Sequence, residues 1–110
     1  VAYDEDLANR IRELLGSERG VEEKRMFGGL AFLINGNMSV AASGQGGLLV
    51  RVAPDDTDTL LARDYVSPMV MAGREARGWI RVDADGLRTK RLLQGRVTRG
   101  VGYARSLPPK

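Results

Sequence analysis

The dipeptide Asn35-Gly36 is the feature that most constrains the fold of this chain. An apolar run at residues 30–34 precedes it, and a second mainly apolar stretch, residues 38–43, follows it. Both central residues of a type I′ hairpin turn need positive φ, and Asn-Gly between two such runs is the strongest short-range sign of a hairpin. The sequence therefore predicts a β-hairpin here.

The rest of the chain predicts further strands and three helices, with no repeated strand-helix unit. The predicted elements are a helix over residues 7–15, three antiparallel strands within residues 21–52, a short helix from Pro54, strands at residues 68–72 and 79–82, and a last helix over residues 89–107. A glycine-rich turn at residues 44–47 joins the second and third strands. This order, α-β(3)-α-β(2)-α, predicts an α+β fold, a two-layer α/β sandwich with a five-stranded antiparallel sheet.

The size and composition favour a single globular domain over residues 1–110. Of the 110 residues, 43% are hydrophobic and 28% are charged, which is close to the globular average. A membrane span needs roughly 18 consecutive apolar residues, and no run approaches that length. We therefore expect a cytoplasmic protein with no membrane partner.

The chain contains neither cysteine nor histidine. Their absence excludes disulfides, zinc-thiolate sites, thiol nucleophiles and imidazole bases. The nearest approach to a metal cluster is Asp55, Asp56 and Asp58, and their place after Pro54 favours a helix-capping role. We assign no catalytic, cofactor-binding or metal-binding residue, expect no cofactor, and predict that the chain is not an enzyme.

Positive charge is concentrated in the C-terminal third. Residues 74–110 hold ten of the 17 basic and three of the 14 acidic residues, so their net charge is +7, against −4 for residues 1–73. Helical spacing places Arg88, Arg91 and Arg99 opposite the apolar stripe of the last helix. These three arginines are candidate partner-binding residues, and a solvated helix face is the alternative.

Several apolar residues can be interpreted in two ways. We expect Trp79, Met69 and Met71 to fill the core beneath the sheet, because apolar residues at strand spacing are usually structural. The alternative is that Trp79, beside Arg77 and Arg81, forms part of a recognition patch.

Glycine is unusually frequent in the last helix. Gly95, Gly100 and Gly102 each cost about 1 kcal/mol relative to alanine, so they indicate either close packing or simple tolerance. An approaching second subunit would explain Gly95 and Gly102, which share the outer face.

One block of sequence resembles a known family. The run Lys24-Arg25-Met26-Phe27-Gly28-Gly29, followed by residues 30–38, resembles the N-terminal domain of the TfoX/Sxy competence-regulator family. Residues 49–54, the segment Arg77-Gly78-Trp79 and residues 103–110 resemble it in the same order.

The resemblance implies a five-stranded antiparallel sheet similar to that of secretion chaperones, and a stand-alone single-domain member of a family of competence and transcription regulators. It implies no catalytic residue. We expect Met26 and Phe27 to pack in the core, Gly28 and Gly29 to allow a bulge or close backbone approach, and Trp79 to be structural. Lys24 and Arg25 should face solvent as candidate partner-binding residues.

The function expected from the sequence is that of a non-enzymatic regulatory binding module that acts through protein–protein contacts. We expect a protein partner, and the alternative is that the chain binds a second copy of itself as a homodimer. Direct nucleic-acid binding through the basic last helix is the alternative.

Overall fold

In a computed structural model, which describes residues 3–26 and 28–110, an antiparallel β-sheet is covered on one face by helices. The helices are α1 (Glu5–Leu14), α2 (Thr57–Leu61) and α3 (Lys90–Ser106), and the strands are β1 (Val21–Met26), β2 (Gly29–Ile34), β3 (Asn37–Ala42), β4 (Leu48–Arg51), β5 (Val66–Met71) and β6 (Arg74–Val82). Short 3-10 helices precede α2 (Pro54–Asp56) and α3 (Ala84–Leu87). The strands lie in the order β1-β2-β3-β4-β6-β5.

The sheet has six strands, so the prediction of five is wrong, although the α+β class is confirmed. Residues 21–34 form two strands, in which Met26 pairs with Gly29 across a tight turn. Gly28 has φ of 76°, a conformation that glycine adopts without steric cost, and it reverses the chain instead of forming a bulge. At Gly29 the predicted close approach is confirmed, because an added Cβ would collide with the carbonyl oxygen of Ala42. Phe27 lies outside the described residues, and its core packing stays a prediction.

The predicted hairpins around β3 are confirmed. Asn35 and Gly36 have φ of 54° and 85° and join β2 to β3. In the next turn, the Ser43 N–H donates to the Gly47 carbonyl at 3.1 Å. Local turn chemistry therefore determines the register of the central strands.

The hairpin of β5 and β6 is tighter than predicted. Ala72 and Gly73 form its turn with positive φ, so β6 begins at Arg74 and contains Gly78. Gly78 has φ of 91°, and its N–H donates to Thr57 Oγ1 at 3.0 Å. A glycine inside a strand commonly marks a bulge, and here it lies where the β5–β6 register shifts.

Both long helices begin at a side-chain cap. The Asp4 carboxylate accepts from the Leu7 N–H at 3.2 Å, and Thr89 Oγ1 accepts from the Leu92 N–H at 3.1 Å. The predicted boundaries of the last helix are confirmed. Its predicted apolar stripe is also buried and consists of Leu93, Val97, Val101 and Ala104.

The core lies between the helices and one face of the sheet. Its largest fully buried side chains come from α1, α3 and alternate strand positions, namely Ile11, Leu93, Phe32, Ile34, Val40, Leu48, Val50, Ile80 and Val82. Because strand side chains alternate, the residues between them lie on the other face of the sheet.

Helix α3 packs against an irregularity in β3. Phe32 pairs with Val40 and the next residue with Met38, so Ser39 has no partner on β2. The Ser39 hydroxyl donates to the Phe32 carbonyl at 2.8 Å. An added Cβ at Gly100 would lie 2.5 Å from the Ser39 carbonyl oxygen, so close packing explains this glycine. For Gly95 and Gly102, no described atom apart from the adjacent residues and the nearby backbone of α3 itself lies within 4 Å of the added Cβ.

The substitution Gly100→Ala should destabilise the protein by about 1–3 kcal/mol, because its methyl group would meet backbone that cannot move aside. The matched substitution Gly95→Ala in the same helix should stabilise by about 0.5–1 kcal/mol, since alanine favours the helix and has space. Urea unfolding of both variants measures the difference. Equal stabilities would contradict the proposed close packing.

An ion pair links α1 to β1. The guanidinium of Arg12 donates to both carboxylate oxygens of Glu23, with Nε–Oε2 at 2.8 Å and Nη2–Oε1 at 2.7 Å. These hydrogen bonds lower the pKa of Glu23 below its ordinary value, although partial burial opposes the shift.

The stability contributed by Glu23 should therefore depend on pH. A carboxylate whose pKa is depressed in the folded state contributes above its unfolded pKa of about 4.3, and that contribution is lost as the pH falls through the folded value. The substitution Glu23→Gln should lower the midpoint of urea unfolding at pH 7 and have little effect near pH 2. Glu22→Gln, on the opposite face of β1, is the control, and the same pH dependence there would contradict a specific role for Glu23.

Candidate functional site

The sheet face away from the helices is apolar, and we call it the open face. It carries the residues between the core positions, among them Met26, Ala31, Met38, Ala41, Leu49, Met69 and Trp79. Strand β2 reads Gly-Leu-Ala-Phe-Leu-Ile and has apolar side chains on both faces. Such strands are typical of sheets covered on both sides, whereas the described helices cover one side only.

A hollow of about 220 Å³ lies near the middle of the open face. All four methionines of the chain line it, together with Ala31, Ala41, Leu49 and Trp79. Ala31 and Ala41 are buried at its base, and Met71 is 41% exposed. The hollow is therefore an apolar site whose methionine side chains can change conformation.

The core positions predicted for Met26, Met69, Met71 and Trp79 are wrong. Ile80 points into the helix-covered core, so its neighbour Trp79 must point to the open face. Met26 pairs with Gly29 on the same open face as the pair Lys24–Ala31. Met26, Met69 and Trp79 are half-buried instead of enclosed, because the helices of the described residues cover the other side of the sheet.

Polar contacts fix one edge of the hollow. The guanidinium of Arg81 donates to Ser43 Oγ at 3.0 Å, to the Gly46 carbonyl at 2.9 Å and to Gln45 Oε1 at 3.1 Å. These bonds hold the β3–β4 turn beside the hollow, which Ser43 and Gly44 also line. Arg81 therefore has a structural role at the edge of the open face.

Arg77, the other arginine of the predicted patch, faces α2. Its guanidinium lies 3.9 Å from Asp55 Oδ1 and 3.6 Å from Asp58 Oδ2. The carboxylate of Asp56, which stands at the N-cap of α2, makes no capping hydrogen bond. The aspartates thus contribute charge near the helix start, without the side-chain bond of a cap.

The predicted partner-binding residues do not form one surface. Arg88, Arg91 and Arg99 are exposed, but Arg88 precedes α3 and lies in a depression with Asp6 and Glu13, so its predicted place on the helix is wrong. Arg99 lines a separate groove beside Asp56.

The other two candidates also lie apart from each other. Lys24 and Arg25 are exposed as predicted, and they point to opposite faces of β1, because Lys24 pairs with Ala31 and Arg25 with Leu30. Only Lys24 shares the open face with the hollow.

The described residues assemble little that suggests reaction chemistry. Within residues 3–26 and 28–110, no group of three or more acidic side chains is placed to hold a metal ion. No helix in this part of the chain is both long and apolar enough to cross a membrane. The site's clearest capacity is the binding of an apolar group in the hollow.

Sequence reasoning missed Met38 and Leu49 as surface residues. The uninterrupted apolar sequence of β2 was the available signal for the open face, because strands of this kind are typical of sheets that are covered on both sides.

Comparison with known proteins identifies the family. The family model described as the TfoX N-terminal domain matches residues 13–104. Searches of curated proteins and of solved structures give no significant match, and the likeness to secretion chaperones stays a prediction. The family match covers most of the 110 residues and confirms the resemblance carried by the Arg-Met-Phe-Gly-Gly block, so the chain belongs to the TfoX N-terminal domain family.

Proposed function

We propose that this chain is a regulatory binding module whose open face docks an apolar segment of a protein partner. Membership of the TfoX N-terminal domain family supports a regulatory, non-enzymatic role. The observation that carries the proposal is the apolar hollow lined by Met38, Met69, Met71 and Trp79 on a sheet face that the helices leave uncovered.

The size and chemistry of the hollow suit a protruding side chain. An apolar cavity of about 150 Å³ is enough to bind benzene, and the hollow measures about 220 Å³. Methionine side chains adapt their shape to different apolar ligands, and tryptophan is enriched among residues that dominate binding energy. An amphipathic helix or loop with one or two large apolar residues fits these properties.

The concave shape favours a different protein over a second copy of this chain. A twofold dimer through the open face would place the same patch on both subunits. The two hollows would then face each other and leave a gap, which forfeits packing contacts. A convex apolar segment from another protein fills the hollow instead.

A defined peptide tests this proposal. Peptides selected from a displayed random library should contain large apolar residues and should shift the methyl NMR signals of Met38, Met69 and Met71. The substitution Met71→Lys should weaken their binding by about tenfold or more, because it places a charge in an apolar contact. Leu92→Lys on α3 is the matched control, since Leu92 is 40% exposed and Met71 is 41% exposed.

Three outcomes would overturn the proposal. One is that the selected peptides shift signals of α3 alone, and another is that Met71→Lys and Leu92→Lys weaken binding equally. The third is a concentration-dependent dimer in sedimentation that Met71→Lys abolishes, which would make a second copy the occupant. Circular dichroism of both variants checks that each remains folded.

A second candidate is direct nucleic-acid binding through the basic residues of the C-terminal third. The exposure of Arg88, Arg91 and Arg99 favours it, since exposed guanidinium groups can contact phosphates. Arg88 and Arg99 line different depressions, and this separation makes the candidate weaker than protein binding.

The salt dependence of binding tests this candidate. If the three arginines each contact a phosphate of duplex DNA, a plot of log affinity against log salt concentration should have a slope of about −2.7. The triple substitution of Arg88, Arg91 and Arg99 by alanine should abolish binding, whereas Arg25→Ala should not. Absence of any binding to a fluorescent duplex at low salt would exclude the candidate.

A further inference from the structure

A second depression adjoins the hollow on the open face. Its volume is about 270 Å³. Four residues line both depressions, namely Ser43, Leu49, Met69 and Met71. The hollow is lined mainly by apolar side chains, whereas the second depression also has the polar groups of Gln45 and Arg81. The two depressions together are therefore apolar at one end and polar at the other.

Arg81 is the one charged residue among the described residues that line the two depressions. The carboxylates of Glu75 on the same strand and of Asp83, which follows the strand, belong to neither lining. Among residues 3–26 and 28–110, the ion pairs within 4 Å do not include Arg81. The polar end of the site therefore has a positive charge without a countercharge in the described part of the chain.

The hydrogen bonds of Arg81 go to neutral acceptors. Its Nη1 donates to Ser43 Oγ at 3.0 Å and to the Gly46 carbonyl at 2.9 Å, and its Nη2 donates to Ser43 Oγ at 3.0 Å and to Gln45 Oε1 at 3.1 Å. Gln45 is exposed, so its amide can turn away into solvent. A guanidinium binds an ionised carboxylate more strongly than a neutral amide oxygen. Gln45 Oε1 therefore occupies a position that a carboxylate from a ligand can take, while Ser43 and Gly46 hold the guanidinium in place.

We propose that the segment docked on the open face carries an acidic side chain, Asp or Glu, which binds Arg81 beside the apolar residue in the hollow. This inference rests on the proposed function and defines the partner as an acidic amphipathic segment. In a helix, side chains three or four positions apart lie on one face, and in an extended segment side chains two positions apart do so. The acidic residue should therefore stand at one of these spacings from the apolar residue.

The countercharge also gives a reason for specificity. Arg81 is half-buried, and a docked segment would remove more water from it. A wholly apolar segment would cover the charge without a countercharge, which costs free energy. An acidic segment replaces the lost water with a charge-assisted hydrogen bond. The site therefore discriminates against neutral apolar segments as well as attracting acidic ones.

The peptides selected on the open face provide the probe, and fluorescence titration gives their Kd. Each peptide is compared with its amide form, in which every Asp is replaced by Asn and every Glu by Gln. The acidic form should bind about tenfold more tightly, because its carboxylate forms the stronger bond to Arg81.

Substitutions at Gln45 locate this preference. Gln45→Glu places a carboxylate of the protein itself beside Arg81, so it should abolish the preference for the acidic form, whereas Gln45→Ala should keep it. Gln94→Glu on α3 is the matched control, because Gln94 is also exposed and the change in net charge is the same. These variants retain Ser43 and Gly46 as acceptors for Arg81, so the β3–β4 turn stays in place.

The outcomes separate this inference from the proposed function. Peptides that shift the methyl signals of Met38, Met69 and Met71 but bind equally well in acidic and amide forms would overturn the inference and leave the proposed function standing. An equal loss of preference in Gln45→Glu and Gln94→Glu would also overturn it, since net charge would then be the cause. If no selected peptide binds the open face, the proposed function fails and the inference fails with it.

Discussion

The contact between Gly100 and the Ser39 bulge determines how the helix layer sits on the sheet. Without a side chain at Gly100, α3 approaches the backbone of β3 directly, and its stripe from Leu93 to Ala104 reaches the core. The bulge is in turn fixed by the bond from Ser39 Oγ to the Phe32 carbonyl. Helices α1 and α2 belong to the same layer as α3. Because protein interiors are close-packed, the position of α3 on the sheet leaves little freedom for the positions of α1 and α2. In the part of the chain that the structure describes, the helices therefore cover one face of the sheet only.

The open face is better suited to binding than either edge of the sheet. Strand β1 has four consecutive charged residues, from Glu22 to Arg25, and Pro68 lies in β5 at the opposite edge. Charged side chains and proline are common devices that prevent edge strands from pairing with other chains. The central strands have the opposite character, since their apolar residues continue onto the uncovered side. A partner that buries apolar surface therefore gains most at the centre of the open face.

The sequence was most informative where structure is determined locally. Asn35-Gly36 and the capping residue Thr89 require only neighbouring residues to act, and the elements they define were predicted correctly. The division of β1 from β2 was missed because the sequence between them lacks the Asn-Gly signal of the next hairpin. The position of Trp79 was missed because alternation predicts two faces but does not say which one the helices cover.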